Sequence, residues 1–224
     1  MERRELLHGL AVQLAERHPG HPLRVGIDGP SGVGKTTFAG HLADAVRVTG
    51  RPVVRIDSDG FHHVRAIRYR QGRTSPRGYY EDAYDFDSLR DLVLVPLGPG
   101  GTRRCATKVH DLASDAVERR WAEVPADAVV LFDATFLQRG RLRGFWDEVI
   151  HLDAPEQVAQ QRGVERDADA LGGAAAALAA HESRYTAAYR IYRVEERPAE
   201  RASILIDHTD PRNPEIVRGA GSSR

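Results

Sequence analysis

Leu6, Leu7, Leu10 and Leu14 recur at the three- and four-residue spacing of an amphipathic helix over residues 3–17. The turn cluster His18-Pro19-Gly20-His21-Pro22 stops it. Leu23-Arg24-Val25-Gly26-Ile27-Asp28 then reads as a short strand, a glycine-rich turn follows, and residues 36–49 read as a helix ended by Gly50 and Pro52. Val53–Asp57 is a second strand. Val129-Val130-Leu131-Phe132-Asp133 is a third, apolar without interruption, as parallel strands buried on both faces are. Stretches 149–153 and 203–207 supply two more strands, and 155–167 and 174–196 are long enough to be crossover helices. Strand and helix in alternation predict an α/β fold with a parallel sheet of about five strands flanked by helices.

Residues 58–128 break this rhythm. They are rich in Arg, Tyr, Gly and Pro, and only 87–95 reads as a helix, so an insertion is expected between the second and third strands. Residues 1–217 read as a single domain, and 218–224 as a disordered tail. The chain has 224 residues with 32 Lys+Arg against 32 Asp+Glu, and zero net charge disfavours a module living on nucleic-acid phosphates. Cys105 is the single cysteine, which excludes an internal disulfide framework or a Cys-rich zinc site. Without a membrane-length apolar run or a signal-peptide core, the expectation is a cytoplasmic protein with no membrane partner; a homo-oligomer is left open.

Only two of the 32 basic residues are lysines, Lys35 and Lys108. Lys35 stands inside Gly29-Pro30-Ser31-Gly32-Val33-Gly34-Lys35-Thr36-Thr37, which fits G-x-x-x-x-G-K-[ST] between a strand and a helix. With this composition, chance would produce the match in roughly one or two chains per thousand. The glycines let backbone N–H groups turn inward around an anion, and the helix N-terminus adds its positive end. Lys35 is expected on the β/γ-phosphates of a nucleoside triphosphate and the Thr36 hydroxyl on Mg²⁺, with Asp133 as the metal-side carboxylate at the end of its apolar strand.

The second strand runs into Asp57-Ser58-Asp59-Gly60-Phe61-His62. Ligands of open α/β sheets sit beyond the carboxyl ends of the strands, so Asp57 and Asp59 are both placed to orient a hydroxyl and take its proton. Spacing does not choose between them.

The blocks G-P-S-G-V-G-K-T-T, V-V-R-I-D-S-D-G-F, Y-D-F-D at 84–87 and V-L-F-D at 130–133 resemble the uridine kinase group of P-loop kinases, which includes pantothenate kinase, nicotinamide riboside kinase and phosphoribulokinase. The likeness spans roughly residues 23–210. It implies a P-loop NTPase fold whose insertion 58–128 binds the acceptor and whose region 155–185 forms a lid. It implies Asp59 as catalytic base and Asp87 as the holder of ribose hydroxyls, with Asp133 near the magnesium. Tyr84 opens the Y-D-F-D block, and Lys108-Val109-His110-Asp111-Leu112 echoes the base-reading segment of uridine kinases, so Tyr84 and His110 join the acceptor set. Asp59-Gly60-Phe61-His62 is closer to pantothenate kinase than to the Asp-Ser-Phe-Tyr of uridine kinases. In the lid, Arg162 and Arg166 lie four apart on one helical face and can meet one anion, the transferring phosphate.

The expectation is an ATP- and Mg²⁺-dependent kinase acting on a primary hydroxyl of a small molecule, foremost a nucleoside 5′-hydroxyl, with a pantothenate-like alcohol or a sugar phosphate as the alternative. A P-loop switch or loading factor is the alternative of another class; the guanine-reading Asn-Lys-x-Asp block is absent and the Asp59 strand end has no use there. His62, His63, Arg65, Arg68, Arg70, Arg73 and Arg77 with Tyr79, Tyr80 and Tyr84 read as a loop covering the acceptor site, with single-stranded nucleic acid or an acceptor already bearing phosphate as other candidate ligands.

Overall fold

The computed structural model describes residues 2–219. Among them, six strands form one sheet: β1 (Leu23–Asp28), β2 (Val53–Asp57), β5 (Val129–Asp133), β6 (Glu148–Asp153), β7 (Ile204–Asp207) and β8 (Glu215–Arg218), in the order β2-β5-β1-β6-β7-β8. The first five are parallel, and β8 runs antiparallel to β7 at the edge. Of the expected tail, Arg218 belongs to β8, and residues 220–224 lie outside the described residues.

The uninterrupted apolar run of β5 has the cause expected of it, since Val129 and Leu131 enter the core on one face and Val130 and Phe132 the core on the other. The first face is closed by α1 (Arg3–Ala15) and α2 (Lys35–Val48), through Leu6, Leu10, Leu14, Phe38, Leu42 and Val46. The opposite face is closed by the aromatic-rich insertion and by the helix Thr186–Glu196, whose Tyr192 is fully buried. Register sets the strand ends level: Asp57 pairs with Asp133, and Ile27 pairs with Asp133 on the other side. The loops leaving β1, β2 and β5 therefore open onto one crevice.

The insertion contains what the pattern did not reveal, an antiparallel ribbon of β3 (Arg104–Asp111) and β4 (Ala116–Glu123). Its β4 strand is exposed or half-exposed along its whole length, so no alternation of apolar and polar residues announces it. The expected helix over 87–95 begins one residue earlier, as a turn at Phe86–Leu89 continued by a π-type turn over Arg90–Leu94. The crossover after β6 is a helix Glu156–Leu171, broken at Gly172 and Gly173, both at positive φ, followed by Ala174–Ala180 and a π-type turn His181–Tyr185 leading into Thr186–Glu196. No helix of the described residues is long and apolar enough to cross a membrane.

Candidate active site

β1 ends in Asp28, which is fully buried and anchors the turn that follows. The Gly29 N–H donates to its Oδ1 at 2.9 Å, and Oδ2 accepts from Tyr192 at 2.7 Å and from Gln138 Nε2 at 3.0 Å. His151 Nδ1 lies 3.3 Å from the same oxygen while its Nε2 faces the Tyr189 hydroxyl, which assigns the proton to Nδ1. Burial pushes the Asp28 pKa upward, but this set of donors outweighs it and leaves the group below its ordinary value. The chain then wraps into the loop 29–34. Gly34, at φ +101°, is the N-cap of α2, a conformation few side chains tolerate. At Gly32, φ +82°, a Cβ would stand 2.0 Å from the Ala159 carbonyl oxygen, so the loop rests directly on the backbone of the helix Glu156–Leu171.

Lys35 Nζ donates to the carbonyls of Gly29 (3.0 Å) and Pro30 (2.8 Å), folded over its own loop. Burial lowers its pKa to about 8, against the opposing pull of Asp28 and Asp133. Beside it the Thr36 hydroxyl donates to Asp133 Oδ2 at 2.7 Å, and Arg55 sits 3.6 Å from Asp133 Oδ1. A hydroxyl and a buried carboxylate in contact are the hard oxygen donors that Mg²⁺ takes, one or two from protein and the rest from phosphate and water. Among the described residues there is no cluster of three or more His, Cys, Asp or Glu suited to a metal ion.

The two candidate carboxylates of the β2 exit separate clearly. Asp57 Oδ1 accepts from the backbone N–H groups of Asp59 (3.0 Å) and Gly60 (3.3 Å), capping the short turn Ser58–Phe61. The Asp59 side chain has no hydrogen-bond partner among the described residues and lines a cavity of about 620 Å³ shared with Lys35, Thr36 and Asp133. Partial desolvation raises its pKa, the charges of Asp57 and Asp133 raise it further, and Arg166 opposes them. Next to Asp59 the cavity wall is aromatic. Tyr84 lies against His62 (ring centroids 4.5 Å apart) and Tyr79 against Tyr185 (4.9 Å). Burial, then the nearby Arg68 guanidinium, push His62 down to about 3, so its imidazole is neutral at physiological pH.

Arg162 and Arg166, the arginines expected in a lid, both reach the cavity, but in different states. Arg166 is bidentate to Asp167 at 2.8 Å on each arm and approaches Ser31 Oγ at 3.4 Å. Asp167 is itself held by His181 Nε2 at 2.9 Å. Arg162 donates to the carbonyls of His208 and Thr209 and so ties the helix Glu156–Leu171 to the loop after β7.

A sequence model of the Phosphoribulokinase / Uridine kinase family matches residues 24–209. The chain belongs to this family. It is 23% identical over 156 residues to a uridine kinase of Leuconostoc citreum (strain KM20), covering 67% of this chain and 71% of that relative. A possible uridine kinase from Bacillus stearothermophilus superposes with a TM-score of 0.72 at 25% identity, over 92% of this chain and 99% of that one. A candidate fructose transport system kinase from Silicibacter sp. TM1040 gives 0.70 at 27% identity, over 87% and 95%.

As a member of this kinase family the chain is an ATP-dependent phosphotransferase with a P-loop. Of the residues expected at its site, Ser31, Gly32, Gly34, Lys35, Thr36, Thr37, Asp59, Tyr84, Asp133, Arg162 and Arg166 line the one cavity. Gly29 and Pro30 meet it through the carbonyls that hold Lys35, whereas Val33 turns its side chain into the core and its carbonyl to His208 Nδ1 at 2.7 Å. Two residues do not arrive. Asp87 is 59% exposed and paired with Arg90 and Arg141, each at 3.2 Å, because it lies on the outer side of the turn Phe86–Leu89. His110 is buried in β3, bonded through Nε2 to Asp115 at 3.1 Å, and lines no part of the cavity. The expected cover of basic residues is largely spent internally: Arg70 pairs with Asp82, and Arg77 with Glu195 at 2.7 Å. Arg184 and Tyr185 were missed, since they sit in a π-type turn whose facing the helical period does not predict.

Proposed function

We propose that this kinase transfers the γ-phosphoryl group of ATP to a primary hydroxyl of a small acceptor, with Asp59 as general base. The observation that carries this reading is the single cavity holding the Lys35–Thr36 loop and the unpartnered Asp59 carboxylate together. In-line transfer needs positioning and charge stabilisation more than covalent chemistry. Lys35 supplies a point charge for the triphosphate and Arg166 supplies a second one from the lid, while Asp59 orients the acceptor hydroxyl and receives its proton. Mg²⁺, which Thr36 and Asp133 would hold, offsets phosphate charge when bound with the nucleotide. The aromatic wall of Tyr79, Tyr84 and His62 supports an acceptor that offers a flat or apolar face beside its hydroxyl.

The test is phosphoryl transfer from Mg-ATP to a panel of nucleosides, pantothenate and sugar phosphates. Transfer to at least one acceptor, in preference to water, is expected. Nucleotide hydrolysis with no acceptor used would overturn the reading in favour of a P-loop switch.

The lid arginines should part company in the same assay. Arg166→Ala is expected to lower kcat by about 10²- to 10³-fold with little change in KM for ATP, as for a charge that acts mainly in the transition state. Arg162→Ala should instead lower the unfolding temperature and shift kcat less, because its guanidinium is spent on the His208 and Thr209 carbonyls. Equal kcat losses, measured at saturating acceptor beside thermal unfolding, would remove the distinction.

A further inference from the structure

Positive charge is concentrated and uncompensated at one end of the acceptor wall. Three guanidinium groups surround the Tyr69 ring, with Arg68, Arg73 and Arg184 at 5.3, 5.0 and 5.0 Å from its centroid. Arg68 has one carboxylate partner, Asp115 at 3.2 Å. Among the described residues neither Arg73 nor Arg184 forms an ion pair. Arg184 is instead caged by rings, 4.8 Å from the Tyr79 centroid and 5.5 Å from that of Tyr185. Its Nε, and that of Arg68, are buried with no hydrogen-bond partner. In a chain whose formal net charge is zero, the Arg73 and Arg184 guanidinium groups are spent on no carboxylate among the described residues.

Arg184, which lines a cavity beside Arg68 and has no carboxylate partner among the described residues, leaves its charge available to an anion that enters. Both arginines line the cavity that holds Asp59, and Tyr69 with Tyr79 places Arg184 on the aromatic, acceptor side of it. The hydroxyl of Tyr69 has a lowered pKa: partial burial would raise it, but Arg184 beside it, then Arg68 and Arg73, prevail. The local field is therefore that of an anion site.

We infer that the acceptor is an anion: a small hydroxylated molecule carrying a carboxylate or phosphate group, which Arg184, stiffened by its tyrosine cage and assisted by Arg68, binds while the hydroxyl faces Asp59. This rests on the proposed kinase reading and narrows its substrate class. A planar guanidinium held between rings loses little side-chain freedom on meeting an oxyanion, which favours arginine over lysine here. A neutral acceptor would leave the Arg184 charge without a counter-charge.

The experiment compares acceptors that differ only in the charged group: pantothenate with pantothenol for a carboxylate, and ribulose 5-phosphate with ribulose for a phosphate. Equilibrium binding is measured by calorimetry on the full chain with Mg²⁺ and a non-hydrolysable ATP analogue, and phosphoryl transfer with Mg-ATP. Expected is a preference of about 10- to 100-fold for the anionic member of at least one pair, the span of one charge-assisted hydrogen bond. Arg184→Gln should erase that preference and leave affinity for the ATP analogue unchanged, and Arg184→Lys should keep part of it, which separates lost charge from lost folding. The pair that shows the preference identifies the anion. No preference in either pair, or a loss in Arg184→Gln confined to the nucleotide, overturns the inference while leaving the kinase reading intact. Arg184-dependent anion binding with no transfer to any acceptor has the opposite meaning: the anion site stands and the kinase reading falls.

Discussion

Asp59→Asn should reduce turnover by about 10²- to 10⁴-fold while Mg-ATP binds almost as before. The substitution keeps the reach and shape of the side chain and removes its ability to take a proton. Because the Asp59 carboxylate makes no hydrogen bond among the described residues, the fold loses nothing by the change. Asp57→Asn is the contrasting variant. Its oxygen only caps the turn through the N–H groups of Asp59 and Gly60, an asparagine oxygen does the same, and activity should stay close to wild type. The pH profile gives a second readout. A base must be deprotonated, and the Asp59 pKa is raised by desolvation and by Asp57 and Asp133. Hence kcat/KM for the acceptor falls as pH drops through a value above that of an ordinary aspartate, and this limb should vanish in Asp59→Asn. Kinetics of both variants across pH, with nucleotide affinity from calorimetry, check the assignment. A crippled Asp57→Asn beside an active Asp59→Asn would reverse it.

The second large effect is expected at Lys35. Lys35→Ala should cost about 10²- to 10³-fold in kcat/KM for ATP, since Lys108, paired with Asp111 and Glu118 on the ribbon, cannot substitute for it. The unfolding temperature should not fall. The depressed pKa of Lys35 means that the folded protein disfavours its charge, so truncation relieves a desolvation penalty. The same depression sets an alkaline limb: with a pKa of about 8 in the free enzyme, kcat/KM for ATP should decline above about pH 8 as the ammonium is lost. Near wild-type ATP affinity in Lys35→Ala would contradict the loop assignment.

The coupling between the phosphate loop and the helix Glu156–Leu171 is equally physical. Gly32 touches the backbone of that helix at Ala159 and Gly163, and Gly163 in turn leaves room for the His181 ring, where a Cβ would stand 2.2 Å from Cε1. His181 holds Asp167, and Asp167 holds Arg166. Arg166, proposed to meet the transferring phosphate, is thus aligned through packing that begins in the phosphate loop.

What the sequence determined by itself were the features set by local chemistry. Strand β5 announced itself through an uninterrupted apolar run, because a strand buried on both faces admits little else. The edge strand β2, half-exposed along most of its length, was legible through its place in the strand–helix alternation. The loop 29–37 was legible because an anion cradle needs glycine, lysine and threonine at fixed spacing along one short turn. Asp133 followed from its place at a strand end, and register does bring it to Thr36. The resemblance, not the spacing, preferred Asp59 over Asp57, and it is tertiary geometry that engages Asp57 in capping and leaves Asp59 open on the cavity. Asp87 and His110 were plausible by position, but where a side chain points depends on the turn of Phe86–Leu89 and on burial in a ribbon without alternation. Arg162 does reach the cavity, and its bonding to the His208 and Thr209 carbonyls is what only the fold decides. Arg184 carried no mark among thirty arginines. Only the folded chain, by closing Tyr69, Tyr79 and Tyr185 around it and bringing no carboxylate into ion-pair distance among the described residues, sets it apart, because pairing and burial are properties of distant segments meeting in space.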